Sequence, residues 1–237
     1  MRTILVCLSL GMAVLATSAP AAAQKSMGRD GTFVLGVERV FGFVTSTTSS
    51  EATVLGQDQE RDATTTGVTL LASAGVPSAH VAPRLAFDYF LATNISIGAA
   101  LGYGTGGGEV ETTVSTPGGS ASSTDDQPDQ SLFMFHARGG YFLPFGGSFG
   151  FWPKLGFSYF TIESGDGSGE VSVDGFALNL DAALVIELAP HFGLSLAGLA
   201  DIGLGGEAEL DLPGGGSTDA DTTVTDFGLM AGIYGYL

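Results

Sequence analysis

The sequence predicts an all-β protein, an eight-stranded antiparallel up-and-down transmembrane β-barrel. Three observations predict it. Apolar and polar residues alternate in eight separate segments, helical periodicity does not recur after the first two dozen residues, and short connections alternate with long polar ones. Composition agrees. Of 237 residues 44% are hydrophobic, only 14% are charged, and 37 are glycine. No apolar run after the start approaches the roughly 20 residues that a spanning helix needs. A chain that is apolar overall but lacks such runs fits a barrel, whose strands each carry a short alternating signal.

The first segment, "MRTILVCLSLGMAVLATSAPAAAQ", has a basic Arg2, an apolar stretch from Ile4 to about Leu15 and an Ala-rich end. It reads as a secretory signal over residues 1–23, cut after Ala23. Residues 24–30 are then a short N-terminal tail and residues 31–237 the barrel. Cys7, the only cysteine, falls inside the signal, so no disulfide is expected and closure of the sheet must hold the domain. Without Arg2, seven Lys and Arg face 25 Asp and Glu, a net charge of −18. That balance excludes nucleic acid as a partner.

The strands follow in order. The first runs Phe33–Val44. "PRLAFDYF" sets Leu85, Phe87 and Tyr89 against Arg84, Ala86 and Asp88. "ISIGAALGYG" sets Ile95, Ile97, Ala99, Leu101 and Tyr103 against Ser96, Gly98, Ala100, Gly102 and Gly104. "LFMFHARGGYF" sets Phe133, Phe135, Ala137 and Tyr141 against Met134, His136, Arg138 and Gly140. "FWPKLGFSYF" sets Leu155, Phe157 and Tyr159 against Lys154, Gly156 and Ser158. "VDGFALNLDAALVIELAP" is apolar enough to be buried yet carries Asn179, Asp181 and Glu187. On a helix its two carboxylates would lie about 240° apart and leave no wide dry stripe. On a strand, Phe176 to Leu188 form one oily face, and Asn179, Asp181 and Glu187 share the other. "FGLSLAGLADIGL" and "TDFGLMAGIYGYL" repeat the pattern, with Asp201 and Asp226 opposite the oily residues.

Each segment is near the ~9–11 residues a tilted membrane strand requires. Ala92–Asn94, Pro144–Gly150 and Ala189–His191 are short turns. The links near Thr45–His80, Thr105–Gln130, Ser164–Ser172 and Gly205–Thr223 are long and polar, the habit of barrels with long outer loops. An even strand count lets the sheet close and leaves no edge in lipid. "TTTGVTLLAS" (Thr64–Ser73) either extends a hairpin beyond the membrane or is a further strand that would break the even count. Aromatic residues gather toward strand ends. Tyr89, Tyr141, Phe151, Trp152, Phe192 and Tyr236 are expected at the periplasmic rim, and Phe43, Tyr103, Phe133, Tyr159 and Phe227 at the outer one.

From Gly31 to Leu237 this pattern resembles the small outer-membrane β-barrels of Gram-negative bacteria, of the OmpA, OmpX and OmpW type. In that class the last strand alternates up to a final aromatic; here "GIYGYL" keeps the alternation but ends in Leu237, with Tyr236 beside it. The resemblance implies an integral protein of the cell outer membrane with both termini periplasmic. It implies outer-membrane lipid, lipopolysaccharide and the barrel-insertion machinery as partners, and a possible surface partner reached through the loops.

On this reading the polar faces point into the lumen. The expected inner set is Glu38, Arg84, Asp88, His136, Arg138, Lys154, Asn179, Asp181, Glu187, Asp201 and Asp226. Buried charges need partners, so Arg84, Arg138 and Lys154 are expected to be shared among Glu38, Asp88 and Asp181, filling a lumen that side chains can just occupy. Strict alternation would turn Arg39 toward lipid, at roughly 2–4 kcal/mol near the midplane; a bulge at Glu38–Arg39, or a place near a rim, relieves that cost.

The outer links hold eighteen acidic residues against Arg61 alone. They read as a solvated anionic fringe, or as divalent-cation ligands through "SGDGSGEV". A structural or surface-interaction role with a filled lumen is the expectation. The rival is a narrow, porin-like channel for small solutes, for which inner Gly98, Gly102, Gly104, Gly140 and Gly156 would leave room. A lipid-modifying enzyme built on His80, His136 or His191 with Ser158 or Ser195 is a third class, but no motif links a Ser, a His and an acid. No catalytic residue, cofactor or resident metal is expected.

Overall fold

A computed structural model describes residues 27–54, 57–70, 78–116, 119–165, 170–212 and 216–237. The expected signal lies outside them, as do residues 71–73 of "TTTGVTLLAS" and residues 166–169 of "SGDGSGEV".

Ten strands follow one another: β1 Phe33–Val54, β2 Gln57–Leu70, β3 Arg84–Ala92, β4 Ile95–Thr116, β5 Gly119–Tyr141, β6 Leu143–Gly146, β7 Phe149–Gly165, β8 Glu170–Ala189, β9 Phe192–Leu212 and β10 Gly216–Tyr236. Eight of them form a closed antiparallel ring, β1-β3-β4-β5-β7-β8-β9-β10, with β10 returning to β1 from Val34↔Tyr236 to Glu51↔Asp221. Over this stretch closure satisfies the facing backbone edges of β1 and β10, which a lipid environment requires. β6 continues the pairing of β5 with β7 near one end.

The segment in question, β2, leaves the count of eight intact. β1 pairs with β3 over its first part, Phe33↔Tyr89 to Glu38↔Arg84, and with β2 over its second, Phe41↔Leu70 to Val54↔Gln57. β2 and β3 are thus two storeys of one ring position. Ahead of β3, Ser78–Ala82, containing the 3-10 turn Ala79–Val81, lies buried inside the barrel.

The long outer links are not loops, as the sequence suggested, but ladders. β4 and β5 stay paired up to Thr116↔Gly119, and β8 and β9 up to Glu170↔Asp211. β5 has 23 residues, about twice what a membrane crossing needs, so the hairpins continue well past the apolar band. Alternating Thr, Ser and Gly hid this: Thr45 and Thr66, and Thr47 and Thr64, face each other at 3.1 and 3.2 Å as cross-strand hydroxyl pairs.

Leu85, Phe87, Ile97, Leu101, Phe135, Leu155, Leu180, Ile202 and Leu229 all point outward and are exposed. The residues immediately before and after them on each strand face the lumen. The turns at the other end are tight: Asn94 (φ 67°), Gly146 (φ 88°) and Gly147 (φ 62°) take the left-handed backbone such turns need. Not every expected girdle residue is in the girdle. Trp152 and Tyr236 turn into the lumen and are 3% exposed.

Candidate functional site: a charged lumen

Two strand irregularities and several glycines shape the lumen. In β1, Glu38, Arg39 and Val40 stand opposite Gly232 alone, because the register with β10 shifts between Val37 and Phe41. Arg39 has φ 58°, a left-handed backbone in a non-glycine residue. The bulge turns Arg39 away from lipid, so two consecutive charged side chains, Glu38 and Arg39, both enter the barrel. Arg39 is 3% exposed.

Around them six further charged groups converge, making eight in all. Arg84 donates from Nε to Glu38 Oε2 at 2.9 Å and from Nη2 to Asp181 Oδ2 at 2.8 Å. Arg138 donates to Asp88 from both Nε and Nη2, and to Glu38 Oε2 from Nη1 at 2.6 Å. Lys154 Nζ donates to Glu38 Oε1 at 2.6 Å. Arg39 forks onto Asp201 at 2.6 and 3.0 Å and reaches Asp181 at 3.3 Å. Asn179 Nδ2 adds a 2.6 Å bond to Asp201. The four cations are Arg39, Arg84, Arg138 and Lys154; the four anions are Glu38, Asp88, Asp181 and Asp201. The network is neutral, which is what allows it to exist at low dielectric.

Glycines carry these pairs across intervening strands. Asp88 on β3 and Arg138 on β5 are separated by β4, where Gly98 lies between them. A Cβ there would sit 2.1 Å from Asp88 Oδ1. On β5, Gly140 does the same for the Trp152 Nε1 to Ser96 Oγ bond of 3.1 Å between β7 and β4. On β7, Gly156 lies under His136 Nε2. The room that the sequence attributed to inner glycines is, at these three positions, already occupied.

Toward the termini the lumen is filled by an apolar cluster: Met27, Val34, Phe90, Phe142, Trp152, Ala183, Val185, Tyr234 and Tyr236. Phe90 stacks on Trp152 with ring centroids 5.6 Å apart, and Lys154 Nζ lies 4.5 Å from the Trp152 ring centroid, joining the two layers. Beside the charges, a cavity of ≈ 20 Å³ bordered by Glu38, Arg39, Asp181 and Ser195 has space for about one water.

Several expected lumen residues stand apart from the central network. Glu187 accepts from Tyr236 Oη at 2.6 Å near the terminal end. His136 is 1% exposed, and neither ring nitrogen has a hydrogen-bond partner among the described residues. Asp226 pairs with His80, Nδ1 to Oδ2 2.9 Å, and accepts from Ser78 Oγ at 2.6 Å. His80, which the sequence offered only as one of three histidines for an enzyme, and Ser78 were not expected in the lumen because they sit in what looked like an outer link; Arg39 also donates to the His80 carbonyl. His191 (φ 66°) is a turn residue whose Nδ1 lies 3.0 Å from the Tyr236 carbonyl.

No protein-family model matches the chain, and no curated protein sequence matches it. Solved structures do. The outer-membrane protein OprG from Pseudomonas aeruginosa superposes with a TM-score of 0.54 at 15% identity, covering 88% of this chain and 97% of that one. The outer-membrane protease OmpT from Escherichia coli gives 0.47 at 12%, covering 92% and 100%. The outer-membrane protein AlkL, determined in lipid bilayers, gives 0.48 at 13%, covering 93% and 97%. The superposition on OprG and the closed antiparallel ring together give the fold of the small outer-membrane β-barrels. In this chain it is an eight-stranded ring with a lipid-facing apolar belt and an interior of paired charges.

Proposed function

We propose that the protein is a structural, surface-displaying barrel of the outer membrane whose lumen is closed to ions. Its termini are periplasmic and its long acidic hairpins face outward among lipopolysaccharide headgroups, available to a surface partner. The reading assigns it no catalytic step. One observation carries it: the neutral network of Glu38, Arg39, Arg84, Asp88, Arg138, Lys154, Asp181 and Asp201 spans the lumen, directly above a packed aromatic layer. A hydrated ion would have to displace several mutually satisfied charges to pass. Planar-bilayer recording on the purified protein is the test. The expected trace has no stable unitary conductance; a reproducible large step sinks the proposal.

A second reading has its own observation. β3 pairs with β4 only up to Arg84↔Gly102, and among the described residues no ladder joins β2 to β4 beyond it. Leu70, Val68 and Tyr103 are exposed beside this break. A small apolar solute could then reach the wall from the outer half of the lumen without crossing the charge layer. Uptake of such a solute into proteoliposomes, with conductance still absent, would favour this narrow-channel role over a purely structural one.

A further inference from the structure

We propose that the barrel interior holds one divalent transition-metal ion, of the zinc type, at His80, Asp226 and Asp201, with the Asn179 side chain beside them. This goes beyond the structural reading and does not depend on whether the lumen conducts.

Charge balance is the first argument. The buried carboxylates among the described residues are Asp88, Asp181, Asp201 and Asp226. The first three each meet a guanidinium. Asp226 meets none; its partners are the Ser78 hydroxyl and the His80 ring. At 0% exposure a lone carboxylate is costly unless a positive charge accompanies it. A divalent cation bound there supplies that charge and shares its second with Asp201, which also meets Arg39.

Geometry and unmet valence favour the cation. His80, Asp201 and Asp226 each offer a ligand atom, all within 4.8 Å of one another, so that a shared centre lies within about half that span of the widest pair. Modest contraction reaches the ~2.0–2.2 Å of nitrogen and carboxylate ligands on zinc. Three atoms of these buried side chains have no partner among the described residues: His80 Nε2, Asp226 Oδ1 and Asn179 Oδ1. Asn179 is 1% exposed and bonded to Asp201 through its nitrogen, which places its amide beside that ligand. Asp201 keeps lone pairs beyond those that Arg39 uses, since each carboxylate oxygen accepts more than one bond. One imidazole with two carboxylates and an amide oxygen is a ligand set for zinc or a neighbouring first-row ion rather than for calcium.

The arrangement also gives the ion a job. His80 belongs to the buried turn ahead of β3, whereas Asp201, Asp226 and Asn179 belong to the wall. A shared ion pins that turn inside the barrel as the ring closes, because binding energy at a site formed only in the folded state is folding energy.

The test refolds the full chain without its first 23 residues from urea into detergent micelles, with zinc or with a chelator, and measures bound zinc after gel filtration. Heat-modifiable gel mobility verifies closure of each variant. Wild type is expected to retain about one zinc per chain, His80→Gln and Asp226→Asn, which remove ligands, to lose more than the roughly 10- to 100-fold in affinity that loss of an outer-shell partner costs, and the surface variant Glu207→Gln to match wild type. His80 lies outside every ladder, so His80→Gln keeps the test valid if Asp226→Asn fails to close. Cobalt loading of the wild type gives a second readout, a ligand-field spectrum with nitrogen coordination. Equal zinc in wild type and His80→Gln, or a folded wild type that retains neither zinc nor cobalt, overturns the proposal.

Discussion

Arg39 is the residue on which most of the interior turns. Its left-handed backbone is unfavourable for an arginine, yet the bulge lets one guanidinium bind Asp201, Asp181 and the His80 carbonyl together. Arg39→Ala keeps the unfavourable backbone and strips Asp201 and Asp181 of that charge. It is expected to cost about 3–5 kcal/mol, the usual penalty for orphaning buried charge, measured by urea unfolding in lipid vesicles. Arg39→Leu combined with Asp201→Asn removes both charges and is expected to recover much of the loss. Gly98 offers a purely steric test. A methyl carbon at that position would lie 2.1 Å from Asp88 Oδ1 and 2.5 Å from the Phe87 carbonyl, so Gly98→Ala must push apart the Asp88–Arg138 pair. The expected cost is about 1–3 kcal/mol by the same unfolding assay. Gly104, with nothing within 4 Å, should accept alanine without loss.

Among the elements, the outer hairpins carry a liability that only register reveals. Glu60↔Glu51, Glu51↔Asp221, Asp221↔Glu207 and Glu207↔Asp174 place five carboxylates in one row across β2, β1, β10, β9 and β8. Like charges directly opposite each other on neighbouring strands destabilise the pairing. Glu207→Gln removes two such contacts and is expected to stabilise the barrel by about 0.2–1 kcal/mol in low salt. The gain should shrink as ionic strength rises; a loss of stability at every salt concentration would contradict it. The sequence showed these acids but not their alignment, because pairing register across long polar strands depends on turns that composition does not specify. Where alternation had bulky apolar partners, as in β3 and β8, strand and facing were legible from the residues alone. Where it ran through Thr, Ser and Gly, the same ladders looked like loops.

For the molecule as a whole, alternation and the even count were enough to read closure, and the polar faces carried every charge of the central network except Arg39. Three things were not legible. The side of Arg39 depended on a local φ, the burial of Ser78 and His80 on long-range contacts, and the turning of Trp152 and Tyr236 inward on the packing of Phe90 and Phe142. None of these leaves a periodic trace. All of them serve one arrangement, in which oily side chains meet acyl chains and the opposite faces pack around paired charges. Methyl-labelled protein in lipid nanodiscs tests that directly, through nuclear Overhauser contacts to lipid chain protons. Leu85, Ile97, Leu101, Leu180 and Leu229 are expected to show strong contacts to lipid, and Val44, Val185, Met134 and Met230 none. Lipid contacts shared equally by both sets, or confined to the second, would contradict the account.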